Sequence, residues 1–549
     1  MTAITGTPAP TEALPPPTST PVLLDPRLEV EEIYTYPDPL YSEDPLTLDV
    51  FPRLPPEQDE TYTVTVRLPT GVELSAPAVR YGFSEALRSR FIWAWDTTGF
   101  TGTQALTLTL LLPPGGEDAD LLNNTRVITV DLRSRDALLP PAPGVAWAVE
   151  EVDGFRLHYL AGTAAERDLG RLREEAGEAY ADVTETLGVE IGAPLDIYLL
   201  DRVIGQGGYA TESWVAISYV DRMYAPAQLP LLLRHELTHR LDEAVGCDWA
   251  PTLLREGLAV RVAGGHYWPE SAARKGAALL ESGLYIPLGT LSDDFYLHQH
   301  EISYLEAAAL VTYVVEGWGW EGLEALCAVA AETEGDDREE LEAGLQALGW
   351  ESLQAFEREW LRWLGAIRVS NREEALLQAE LHLLETMRAY QVQYDRSANF
   401  RTGILYNPAE GERREITASF ARNPREPEPI ALELLLVMAQ DALRDRAPER
   451  AQLWLEAVEG VLKEGFPPEG QSADVLAITR AALARGYEPY RLVCDEDERC
   501  FVYALERSDW PRQVLLVAVK VEGRWEVVGP QALHVPHRGV SLGREDEGR

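Results

Sequence analysis

Lysine is almost missing from this chain. Only Lys275, Lys463 and Lys520 occur in 549 residues, the other 45 of the 48 basic residues are Arg, and 90 acidic residues bring the formal net charge to −42. So large an acidic surplus repels a phosphate backbone, which argues against nonspecific nucleic-acid binding, and it favours solubility. It is also what a salty or hot habitat selects, and composition does not separate the two. Cysteine is scarce: Cys247, Cys327, Cys494 and Cys500 are the only four, and none has zinc-finger spacing. No apolar run approaches the roughly 20 residues that span a bilayer. The first 25 residues, MTAITGTPAPTEALPPPTSTPVLLD, have neither the basic nor the apolar region of a signal peptide. Rich in Pro and Thr, they read as an extended stalk of up to about 75 Å. Such a stalk suits attachment of an exported protein to a cell surface; the other reading is a disordered cytoplasmic tail.

Histidine is scarce too, nine in all, yet two stand four apart in His235-Glu236-Leu237-Thr238-His239. On a helix that spacing puts both imidazoles on one face, where they can close on one metal ion. Glu236 between them can take a proton from a water on the metal's open side. Glu256, seventeen residues after His239, completes a His₂Glu set with one open position, the donor set of catalytic zinc. Leu233, Leu237, Leu241 and Val245 form an apolar i, i+4 stripe, so the helix is expected to be partly buried.

His235 to His239, taken with Pro251-Thr252-Leu253-Leu254-Arg255-Glu256-Gly257-Leu258-Ala259, resembles the gluzincins, the thermolysin-like and aminopeptidase-like branch of zinc peptidases. The closest likeness is to bacterial peptidase domains in which HELTH precedes P-x-x-L-x-E-G-L-A. It covers residues 146–368 and implies a central α+β peptidase domain with a helical lower subdomain, zinc as cofactor, and Glu236 as general base. In this family the strand before the zinc helix is a sheet edge that pairs with an extended peptide. That role falls here to Val215, Ala216 and Ile217 in the strand 214–218, unless this is an ordinary hairpin. Tyr304, in Ile302-Ser303-Tyr304-Leu305-Glu306-Ala307, resembles the family's oxyanion-binding tyrosine, although Glu306 and Ala307 replace its Lys and Gly. A core tyrosine is the other reading, and His298 and His300 are the alternatives for the donor. Gly207 to Glu212 echoes the aminopeptidase motif that grips a free amine, with three residues between the glycines and Glu212; a hairpin tip fits it better. Asp242 shares the His235 face and could support a ligand imidazole from behind or be an exposed last-turn carboxylate. His266, after two glycines, reads as a surface residue.

The remaining segments frame this domain. Residues 26–134 alternate as an all-β region, for instance Tyr62–Leu68, Ala105–Leu112 and Arg126–Leu132. With Trp93, Trp95, Gly99 and the pair Asn123-Asn124 it resembles the Ig-like modules of bacterial surface proteins, implying about seven strands. Residues 135–145, ending LLPPAPGV, are a linker. Helices are expected at 164–187, 302–316, 320–333, 339–348 and 351–365. The region 369–549 reads as helical (372–391, 430–444, 448–463) and then β (490–494, 500–506, 514–521, 525–528). Cys494 and Cys500 flank an acidic turn, where they either form a disulfide or remain thiols; calcium in that turn is a weaker reading than a solvated loop. The sum is a secreted or cell-surface zinc metallopeptidase acting on a peptide or protein. Its rivals are a surface binding or scaffold protein that keeps an inactive or specialised peptidase fold, and a zinc hydrolase of a nonpeptide amide. Oligomeric state is not legible.

Overall fold

The computed structural model describes residues 25–54, 62–116, 118–152, 154–189, 194–495, 499–508 and 510–532. The Pro/Thr-rich segment, apart from Asp25, and the centre of the acidic turn at 496–498 lie outside them. The chain is multidomain, with a β-rich N-terminal region, a central region mostly of helices, and a C-terminal β-sheet. Among the described residues no helix is long and apolar enough to cross a membrane.

Eight strands make up the N-terminal region, one more than expected, in two four-stranded sheets. One sheet orders Ile33–Tyr36, Pro45–Val50, Ser84–Asp96 and Val79–Tyr81; the other orders Glu73–Pro77, Thr63–Arg67, Gly102–Leu111 and Thr125–Leu132. Alternation explains the core. Leu106, Leu108 and Leu110 point inward from Gly102–Leu111 and meet Val64, Val66, Leu46, Leu48 and Trp95, while their neighbours face out.

The central region begins with a five-stranded sheet. Its strands are β1 (Ala146–Val152), β2 (Phe155–Ala161), β3 (Leu195–Leu200), β4 (Gly208–Ala210) and β5 (Trp214–Ser218), in the order β4-β5-β3-β2-β1. β2, β3 and β5 are mutually parallel; β1 and β4 are the antiparallel edges. Every residue of β5 is buried because both faces are covered. Val215 and Ile217 pack with Leu233 and Leu237 on one face, and Trp214 and Ala216 with Tyr36, Trp93, Tyr406 and Phe420 on the other. The helix α1 (Leu169–Leu187) precedes β3; α2 (Leu229–Leu241) packs against α1 and against α3 (Thr252–Ala263).

α3 lies on α4 (His300–Glu332). The contact is close: a Cβ on Gly257 would stand 2.4 Å from the Ala307 carbonyl oxygen, so only glycine fits beside Glu256. The two helices expected at 302–316 and 320–333 form this single element, interrupted at Gly319, whose φ is +73°. Asp337–Ala347 and Leu353–Ala366 follow. Beyond them Asn371–Tyr394, Pro427–Arg444, Pro448–Glu464 and Gln471–Leu483 pack under an antiparallel meander of Tyr487–Cys494, Arg499–Glu506, Gln513–Val521 and Arg524–Ala532. The chain between Asp395 and Asn423 does not stay with these helices. It returns to bridge the N-terminal sheets and the central sheet through Ile404, Tyr406 and Phe420. Cys494 pairs with Cys500, and Cys247 pairs with Cys327, a link that the sequence did not suggest.

Candidate metal centre and its cavity

α2 is half turned to the protein core and half to a cavity of about 1110 Å³. Leu233 and Leu237 take the core side, so His235, Glu236 and His239 fall on the other, and all three line the cavity with Glu256 from α3. Glu256 Oε2 lies 3.2 Å from the Nε2 atoms of both His235 and His239, and those two nitrogens are 3.1 Å apart. Ligand atoms about 2.1 Å from a tetrahedral zinc are separated by roughly 3.4 Å, so this triangle needs only a small expansion to hold one ion. The donor chemistry, two imidazoles and one carboxylate, also suits zinc. Burial resists charge on Glu256, yet the two imidazoles hold its carboxyl well below the usual range. Its other oxygen, Oε1, accepts a hydrogen bond from the Tyr296 hydroxyl at 2.7 Å. Oε2 is therefore left to face the histidines.

Glu236 is 4% exposed, and burial pushes its carboxyl up to about 8. A neighbouring cation would bring it down again. Directly over it passes β4: a Cβ on Gly208 would stand 2.8 Å from Glu236 Oε1. β4 corrects one expectation. Val215, Ala216 and Ile217 do not lie on a sheet edge, because β4 folds back and pairs Gly208 with Ile217, Tyr209 with Ala216 and Ala210 with Val215. The free edge belongs to Gly208–Ala210, a three-residue strand too short and too glycine-rich to register as a strand in sequence. Among the described residues, no other backbone group pairs with its outer side.

Tyr304 lines the cavity and is 7% exposed, its ring 5.9 Å from that of His235. It is stacked at 4.3 Å on His266. His266 is thus not a surface residue. It lines the same cavity, and its Nδ1 is 2.6 Å from Glu301 Oε2. Burial depresses its imidazole to about 4. His300 also lines the cavity, whereas His298 does not.

Asp242 does not support a metal ligand. Its carboxylate accepts from Arg255 Nε at 3.2 Å, and among the described residues no group hydrogen-bonds Nδ1 of His235 or His239. It stands just past the end of α2, where it meets the Arg255 guanidinium from α3; nor is it exposed, at 3%. Glu212 lines the cavity from the exposed turn after β4. Tyr296 had no signal in the sequence beyond standing eight residues before Tyr304 in a short loop. No protein-family model matches this chain, and no curated protein matches it either.

Proposed function

We propose that this protein is a zinc-dependent metallopeptidase of the gluzincin type, with an Ig-like module before a thermolysin-like domain. The observation that carries the reading is the convergence of His235 Nε2, His239 Nε2 and Glu256 Oε2 to within 3.2 Å of each other beside a buried, otherwise unused Glu236. Zinc bound there would supply a Lewis acid that polarises a carbonyl and acidifies water. Everything else falls to side chains of this chain. The outer edge of β4 offers backbone donors and acceptors to an extended peptide, independent of its sequence. Glu236 takes the proton of the attacking water and delivers it to the leaving amine. Tyr296 fixes Glu256 by holding Oε1. Tyr304 is the donor for the oxyanion that develops on the scissile carbonyl. Two disulfides, Cys247–Cys327 and Cys494–Cys500, favour an oxidising, extracytoplasmic setting.

The test pairs metal analysis with one variant. Purified protein should hold about one zinc per chain. Glu236→Gln should keep that zinc and lose at least 10²-fold of peptide hydrolysis, because the amide has the same shape but cannot accept the proton. Protein that neither carries nor takes up zinc, or a glutamine variant as fast as wild type, would refute the reading. Intact zinc with no cleavage of mixed peptides would instead favour a binding protein on the same fold.

A further inference from the structure

The cavity has unlike ends along β4. Past Ala210 the chain runs into the exposed turn Thr211–Ser213, and the rim carries Trp249, 72% exposed. Before Gly208 the chain is stopped. Gly205 N donates to the Ala398 carbonyl at 2.7 Å, and a Cβ on Gly205 would lie 3.0 Å from Phe400 Cζ. Phe400 in turn is stacked on Phe83, centroids 5.1 Å apart and planes 16° apart. Phe83 comes from the N-terminal sheets, at the tip of the hairpin joining Val79–Tyr81 to Ser84–Asp96. It also meets the Tyr296 ring at 4.8 Å, and Tyr296 holds Glu256.

This wall is braced. Arg88, on the same hairpin, pairs with Asp49 at 2.9 Å and donates to the Gly403 carbonyl at 3.1 Å. Tyr36 donates to the Thr402 carbonyl at 2.9 Å, and Trp93 Nε1 to Ser419 at 3.1 Å. All of these groups are buried, and each bond crosses between the N-terminal sheets and the 395–423 segment, save Arg88–Asp49. Two independent measures put the wall close to the candidate metal centre. Tyr296 alone separates them: its ring is 4.8 Å from the Phe83 ring and its hydroxyl is 2.7 Å from Glu256 Oε1. An extended chain advances about 3.3 Å per residue, so the stretch from Gly208, opposite Glu236, back to Gly205 admits at most about three residues.

We propose that Phe83 and Phe400 close the cleft on the Gly205 side, and that the protein removes pieces of no more than about three residues from one end of a peptide rather than cutting within it. The inference rests on the peptidase reading above. The chemistry is plain hydrolysis: the C–N bond breaks, water supplies hydroxyl to the acyl carbon, and a proton goes to the amine. Phe83 acts as a specificity-determining residue contributed by a module that holds none of the proposed metal ligands.

The experiment uses the full-length, zinc-loaded protein and a linear peptide of about twelve residues alongside the same peptide closed head to tail. Mass spectrometry of early time points should give a ladder receding from one terminus in steps of one to three residues, and the ring should stay intact. A ladder from either terminus supports the proposal and identifies which end enters. Early cleavage in the middle of the linear peptide, or opening of the ring at a comparable rate, overturns it. Phe83→Ala should lengthen the released pieces by at least one residue, and a folded Phe83→Ala protein with an unchanged ladder overturns the role of Phe83. Mid-chain cleavage that disappears in Glu236→Gln defeats this inference alone. No cleavage of any linear peptide defeats the peptidase reading itself, and this inference with it.

Discussion

Gly208→Ala is the smallest change that tests whether Glu236 works from where it stands. The added methyl would lie 2.8 Å from Glu236 Oε1, 2.9 Å from its Cγ and 3.0 Å from the Ala216 carbonyl oxygen. Carbon atoms in comfortable contact are about 3.5–4.0 Å apart, so the carboxylate must retreat by roughly 0.6–1 Å. The backbone of β5 blocks any sideways escape of the methyl, and the glutamate, though buried, is the softer neighbour. None of the three heavy atoms nearest the methyl belongs to His235, His239 or Glu256, so bound zinc should stay. A displacement of about 1 Å in a group that must meet a proton costs on the order of 10²-fold in rate. The assay is kcat on a peptide that wild type cleaves, with zinc content and melting temperature measured on the same preparation. Gly207→Ala is the control, since its Cβ meets only the Ile204 carbonyl, at 3.8 Å. A Gly208→Ala protein with full zinc and a rate within about threefold of wild type would mean that Glu236 is not the base, or that β4 yields instead.

Three further outcomes are expected. Tyr304→Phe should lower kcat about a hundredfold with little change in KM, because its hydroxyl is needed only once the oxyanion forms; a normal kcat returns Tyr304 to the core. Tyr296→Phe should instead weaken zinc binding by about 10–100-fold, as seen when a group that orients a metal ligand is removed, and competition with a chelator would read it; unchanged affinity would sink the positioning role. The third concerns acid. Burial would raise the Glu488 carboxyl, but Arg425, Arg222 and Arg507 together hold it down at about 2. A folded pKa below the unfolded value of about 4.3 contributes stability above pH 4.3 that fades as the pH falls toward 2, about 3 kcal/mol in all. The loss of melting temperature between pH 6 and pH 3 should therefore be smaller in Glu488→Gln than in wild type, and an equal loss would refute the linkage.

What could be read in the sequence and what could not divide along physical lines. Glu256, on another helix, was legible through the resemblance carried by Pro251–Ala259, and His235 and His239 because helical periodicity converts spacing directly into a shared face; the structure brings the three donor atoms together. The longer helices and strands were legible for the same reason. Tyr296, His266 and the Phe83 wall depend on segments that are distant in sequence and meet only after folding, 213 residues apart for Phe83 and Tyr296. No local pattern encodes such a meeting. The Gly208–Ala210 edge was hidden for another reason: three residues carry no period, and glycine marks a turn as readily as a strand. Asp242 failed because shared helical face says nothing of what the facing helix presents, which here is Arg255.

The bond between Cys247 and Cys327 spans 80 residues, and within that span lie Glu256, His266, Tyr296 and Tyr304. Glu256 and the other three side chains thus sit on a covalent ring, while His235, Glu236 and His239 sit on an open stretch of chain just before it. A ring tolerates one cut. A protease that nicks an exposed residue such as Pro269, between α3 and the following helix, would leave both new ends tied to the same body. The two pieces would run as one on a nonreducing gel and separate only when reduced. Such a ring converts a backbone scission from a loss of half the proposed metal set into a local scar.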